Sequence, residues 1–177
     1  MANVSISAFK SKLVGGGARA NLFRVTLGFP TGIATGGDPE LASFLIKASS
    51  LPPSVVNPII IPFRGRQAPI AGDRVFQPWS FTVINDTGFE IRSAFELWLN
   101  GINAHEQNTG LTNPSDYSAD FMVEQLDKSG ASVKQYVIRS GFPTVLSEIT
   151  VSNDSENTIE EFSVEISYLY WTSDTTS

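Results

Sequence analysis

The sequence predicts a mainly β fold, an antiparallel β-sandwich or partly closed barrel with one amphipathic α-helix at its flank. Three observations point there. Several short segments alternate apolar and polar residues with the period of a half-buried strand. Only one segment carries apolar residues at helical spacing. Strands and helices do not alternate along the chain as a parallel sheet would require.

The clearest strand covers about 159–172, where Phe162, Val164, Ile166, Tyr168 and Tyr170 share one face and Ser163, Glu165 and Ser167 the other. Further strands are expected at about 22–29, 43–49, 55–63, 75–84, 119–127 and 132–140. In the fourth of these Trp79, Phe81 and Val83 oppose Ser80 and Thr82. Asp127-Lys128-Ser129-Gly130 reads as a hairpin turn. The helix is expected at about 88–100, opened by Thr87-x-x-Glu90 as a capping box. Ile91, Phe95, Trp98, Leu99 and Ile102 form its apolar stripe, and Gly101 before Ile102 suits a C-terminal cap. Trp98 and Trp79 are both expected in the core.

One domain is expected over 1–177: a weakly helical arm and glycine joint over 1–17, the sandwich over 18–171, and a polar tail over 172–177. Cysteine is absent, which excludes disulfides, thiolate metal sites and cysteine nucleophiles. No apolar run approaches the length of a membrane span, and no charged-then-apolar leader follows Met1. Charged residues make up only 17%, below the quarter or so of ordinary soluble domains, which suits an exterior covered by copies of itself. The net charge of −6 argues against nucleic-acid binding, which draws its affinity from cations.

Catalytic chemistry finds little to use. His105 is the only histidine and sits in the polar run Asn103-Ala104-His105-Glu106-Gln107-Asn108, where a solvated loop position is the plainer account than a triad or metal ligand. Gly15-Gly16-Gly17 lacks the Lys-Ser/Thr of a phosphate loop. Glu160 and Glu161 are adjacent in a strand and so point to opposite faces. No catalytic residue, cofactor or metal is assigned.

The segment 59–86 is the most informative. A β-branched run, Ile59-Ile60-Ile61, lies between Pro58 and Pro62 and leads to Phe63-Arg64-Gly65-Arg66-Gln67 and then Gly72-Asp73-Arg74. Such a strongly β-forming arm with a basic tip gains little in a lone domain and much in an assembly, where it can pair with a neighbouring chain. An inter-subunit arm is therefore expected to use Ile59, Ile61, Phe63, Arg64, Arg66, Gly72, Asp73 and Arg74. The two tip arginines are read as charge partners for an acidic patch on the next subunit, setting register more than affinity.

Several motifs resemble the tail tube proteins of T4-like contractile-tailed bacteriophages. They are Ala20-Asn21-Leu22-Phe23-x-Val25, Lys47-Ala48-x-x-Leu51-Pro52, Ala71-Gly72-Asp73-Arg74-x-Phe76-x-x-Trp79, Val83-Ile84-Asn85-Asp86 and Arg92-x-x-Phe95-x-x-Trp98, with a looser echo in Phe162-x-Val164-x-Ile166-x-x-x-Tyr170-Trp171. The loop 29–40 and the tail 172–177 depart from the pattern. The resemblance implies a structural virion subunit, assembled in the host cytoplasm. It would form homohexameric rings that stack into a hollow tube within a contractile sheath. Sheath, baseplate and tail terminator proteins would be its partners, and viral DNA would pass through the lumen without specific binding. A bacterial contractile injection system tube or a type VI secretion ring is the alternative, and a jelly-roll binding module a more distant one. A conduit for DNA should repel phosphate, so Glu124, Glu161 and Glu165 are candidates to line the lumen.

Overall fold

The computed structural model describes residues 5–176; the beginning of the expected arm at 1–4 and Ser177 of the tail lie outside the described residues. Ser5 caps α1 (Ile6–Lys12), its hydroxyl accepting from the Ala8 amide at 3.1 Å. Ile6, Phe9 and Leu13 remain exposed. Gly15, Gly16 and Gly17 then all adopt positive φ before β1 (Phe23–Leu27) begins.

Two layers make the sandwich. β1, β6 (Ala119–Leu126), the first half of β7 (Ser132–Leu146) and β9 (Tyr170–Ser173) form one. The second half of β7, β8 (Glu161–Ser167), β5 (Trp79–Ile84) and β2 (Ile46–Ser49) form the other. Every pairing is antiparallel, and the sheet stays open in the order β1-β6-β7-β8-β5-β2, with β9 also on β7. β7 crosses from layer to layer at Ser140 (φ 50°) and Gly141. A Cβ on Gly141 would lie 2.6 Å from the Phe121 ring and 2.8 Å from Ile166, so only glycine lets the strand turn that corner.

Alternation along each strand decides what lies inside. Val25, Leu27, Phe121, Val123 and Ile138 of the first layer face Trp79, Phe81, Val83, Phe162, Val164 and Ile166 of the second. Trp79 and Phe121 meet across the interior with centroids 5.7 Å apart. Helix α3 (Glu90–Ile102) bridges the layers, with Phe95 6.1 Å from Phe81 and Trp98 6.2 Å from Phe121. Both indoles are fully buried and satisfied: Trp98 Nε1 donates to the Tyr117 carbonyl at 2.7 Å, Trp79 Nε1 to the Ser50 carbonyl at 2.8 Å. The hairpin turn forms at Asp127. Its carboxylate accepts from the Ser129 hydroxyl (2.6 Å) and the Ala131 amide (3.0 Å), which holds its acid below the ordinary aspartate range.

Five expectations are corrected. The segment 43–49 is half helix: α2 (Pro39–Leu45) starts at Asp38, whose carboxylate accepts from the Glu40 amide, with proline at the first position. The segment 75–84 breaks at Gln77-Pro78, and 159–172 breaks at Tyr168-Leu169, where the chain leaves β8 and crosses to the first layer to pair with the first half of β7. Phe162, Val164 and Ile166 are buried as expected, while Tyr170 faces outward. The helix uses no Thr87 capping box; Asp86 takes the Gly88 and Glu90 amides, and Phe89 at the cap is left-handed (φ 56°). Gly101 does not end it: α3 continues to Ile102 and is capped at Asn103, and Gly101 packs on Ile33. The two departures from the family motifs are also structural. In the loop 29–40, Phe29 sits 5.5 Å from Phe95 and Ala34 is buried, and the tail supplies Thr172 and Ser173 to β9.

Replacing Trp98 or Trp79 by Ala should destabilise the subunit by about 3–5 kcal/mol, the range for a large buried aromatic. Denaturant unfolding of the purified subunit reads this directly, and a Trp98→Ala subunit of unchanged stability would refute the packing account.

Candidate assembly interface

Residues 54–76 leave the sandwich as a ribbon. β3 (Ser54–Phe63) and β4 (Arg66–Phe76) pair only with each other. They turn at Arg64 (φ 47°) and Gly65 (φ 79°), the two-residue geometry that matches the twist of a hairpin. The expected arm is thus a closed hairpin with Arg64 and Arg66 at its tip, and the whole return strand Arg66–Phe76 is an element that local sequence does not announce. Prolines, glycine and charges dilute its β signal, and pairing with β3 overrides them. An extra β4 residue bulges between the pairs Val56↔Arg74 and Pro58↔Ala71. Gly72 lies there, where a Cβ would stand 2.6 Å from the Asn57 carbonyl oxygen. Asp73 and Arg74 therefore sit at the bulge, not in a turn.

Neither face of the ribbon is covered. Ile59, Ile61, Phe63 and Ile70 lie on one face, Val56 and Ile60 on the other, and all are exposed, Phe63 to 64%. The Arg64 guanidinium lies over the Phe63 ring, 5.3 Å from its centroid. An isolated two-stranded hairpin is marginal in water, so this much exposed apolar surface makes the ribbon the candidate docking element. Its root is fixed by aromatics: Phe76 packs on Tyr168 (6.0 Å) and Trp171 (6.4 Å), and Trp171 Nε1 donates to the Pro53 carbonyl at 3.2 Å. Tyr168 reaches the same carbonyl, and partial burial raises its phenol pKa above the ordinary value of about 10.

The three candidate lumen acids are divided. Glu165 and Glu161 lie on the outer face of the second layer with Ser80, Thr82 and Ser163, and Glu161 is bridged to Lys47 at 2.6 Å. Glu124 points out of the first layer beside Arg24 (3.7 Å) yet is itself buried, only 8% exposed. Those faces point away from each other across the core, so one lumen can take only one set. His105 is exposed in its loop, its amide donating to the Asn100 side chain. Local patterning does not reveal an acidic loop between β7 and β8: Glu148, Asp154, Glu156 and Glu160 lie in it and Glu161 opens β8, with no Lys or Arg over 147–161. That composition alone was the available signal.

A β-sandwich that withholds a long apolar ribbon from its own core is an assembly subunit by construction. A family model described as phage tail tube protein matches residues 18–174. The chain is 34% identical over 157 residues to the tail tube protein gp19 of Enterobacteria phage T4, covering 87% of this chain and 90% of that one. It is 26% identical over 172 residues to the tail tube protein of Serratia phage KSP90, covering 96% and 97%. Among solved structures, a chain of the anti-feeding prophage baseplate superposes with TM-score 0.67 at 12% identity, covering 89% of this chain and 95% of that one. One from an extracellular contractile injection system sheath–tube complex gives 0.60 at 14%, covering 97% and 99%. The chain belongs to the phage tail tube protein family and is a structural component of the virion. The injection-system neighbours share its fold, while the relatives in sequence are phage proteins.

Tyr168 gives this region a pH signature. A raised phenol pKa means its stabilising contribution is complete below about pH 10 and is lost as pH rises through the folded value. Ultraviolet titration of tyrosinate should show one phenol ionising above the ordinary range, and Tyr168→Phe should remove it; an unchanged titration would contradict the packing at the root.

Proposed function

We propose that six copies close a ring through the second layer, and that rings stack through the ribbon into a tube conducting viral DNA inside a contractile sheath. Baseplate and terminator proteins would bound its two ends. The ribbon carries this reading: a monomer leaves both its faces in water, whereas a stacked subunit buries them. Open edges support ring closure. β2 and the second half of β7 each pair on one side only, and closing six such layers into one barrel removes edges that otherwise invite aggregation. The face this turns inward carries Ser80, Thr82 and Ser163, with Glu165 central and Glu161 at the rim, whereas Glu124 is left outside. The one Lys on this face among the described residues, Lys47, is paired with Glu161, so the hydroxyls and Glu165 leave DNA no unpaired cation at which to stick.

Two expectations follow. Deleting residues 64–69 should leave a folded subunit that forms no stacked tubes; tubes of normal length by negative-stain microscopy would sink the stacking role. Glu165→Lys should preserve tubes yet slow genome delivery, most at low ionic strength, because each new cation traps phosphate. Unimpaired delivery at low salt would place Glu165 away from the DNA path.

A further inference from the structure

We propose that the ribbon of one copy seats its tip in the acidic cleft of residues 147–161 on a second copy, by its faces and arginines and not by adding a strand. This rests on reading the ribbon as the stacking element. In a two-residue hairpin the flanking residues, here Phe63 and Arg66, exchange both backbone hydrogen bonds, and bonded and non-bonded pairs alternate from there. The pairs Pro62↔Gln67, Ile60↔Pro69 and Pro58↔Ala71 therefore fall at non-bonded positions, whose nitrogens point to the outer edges. Pro58 and Pro62 on one edge and Pro69 on the other lack the N–H that a third strand would need. Strand addition is interrupted on both edges, most on that of β3 where Ile60 alone keeps its donor between two prolines, and the apolar faces and basic tip remain.

The cleft matches that tip in chemistry. It has a volume of about 480 Å³ and is lined by Glu148, Glu160 and Glu161 together with Val151 and Ile159, which are 75% and 66% exposed. Lys47 neutralises Glu161 and Asn85 holds Glu160, while Glu148 has no cationic partner among the described residues. An aromatic with two arginines thus faces apolar side chains with surplus carboxylates, the pairing that sets register at an interface.

Position completes the case. The ribbon leaves the body at the Trp79↔Ile166 end of β5 and β8, and the cleft lies at the Ile84↔Glu161 end. Donor and acceptor at opposite poles make a heterologous contact, which propagates from copy to copy without closing on itself. Ten residues of β3 reach about 33 Å, enough to enter a neighbour stacked on that pole.

Charge reversal tests it. Arg64→Glu with Arg66→Glu, or Glu148→Lys, should each abolish tubes in negative stain while leaving the melting temperature of the free subunit unchanged, and combining all three should restore tubes. The chain has no cysteine, so Arg64→Cys with Val151→Cys provides a second measurement independent of charge. Oxidation of assembled tubes should give a ladder of linked copies on a non-reducing gel. Normal tubes from the cleft variant, or tubes that give no ladder, would overturn the cleft as acceptor. If deletion of residues 64–69 still abolishes stacking in that case, the ribbon stacks but seats elsewhere; if the deletion stacks normally, the stacking reading itself falls.

Discussion

A two-stranded ribbon has no inside. β3 and β4 satisfy one set of backbone bonds with each other and have only solvent for the rest of their surface. The strands of the sandwich pack across the core, whereas this ribbon is held only at its root, by Phe76 against Tyr168 and Trp171. Burial of its apolar side chains, at roughly 25 cal/mol per Å², is available only from another chain. Folding and assembly are thus separable steps in this molecule, since the sandwich is complete before the ribbon finds a partner.

The body can stand alone because its interior is continuous. Phe29, Phe95, Trp98, Phe121, Trp79 and Phe81 form a chain of ring contacts running from the loop before α2, through α3, into both layers. Rings in contact at these distances add specificity of orientation to area burial. A rigid body matters for what the ribbon does: its tip lies about 33 Å from its root, so small rotations at the root would become large displacements at the tip. Aromatic packing at Phe76, with the indole and phenol of Trp171 and Tyr168 both aimed at Pro53, restrains that lever.

Much of this was legible in the chain. Alternation in β5 and β8 separated core from surface correctly, because a period of two needs no knowledge of partners. The same period cannot tell one outward face from another. Glu124 and Glu165 carry the same local signal, and only the strand order sets them on opposite sides of the core. Helix caps failed for a local reason: Asp86 competes with Thr87 for the same amides and its carboxylate is the stronger acceptor. Asp38-Pro39-Glu40 was a readable helix start, obscured because the apolar run Phe44-Leu45-Ile46 carries the helix into β2 without a break. β4 was invisible because its strand character is imposed by its partner. The tip arginines were visible as residues, and the acidic loop as composition, but their placement at opposite poles is a property of the fold.

The prolines of the ribbon reconcile two demands that conflict. An exposed hairpin rich in isoleucine and valine is the kind of segment that recruits further strands and aggregates. A tube subunit must nevertheless keep it exposed until a neighbour arrives. Placing Pro58, Pro62 and Pro69 where the backbone nitrogen faces outward leaves the internal ladder intact and removes donors only from the edges. The two faces keep their isoleucines and valines exposed beside the basic tip, and a face, unlike an edge, selects its partner by shape and charge. A ribbon built this way favours a surface that matches its faces over a strand that would extend its edges.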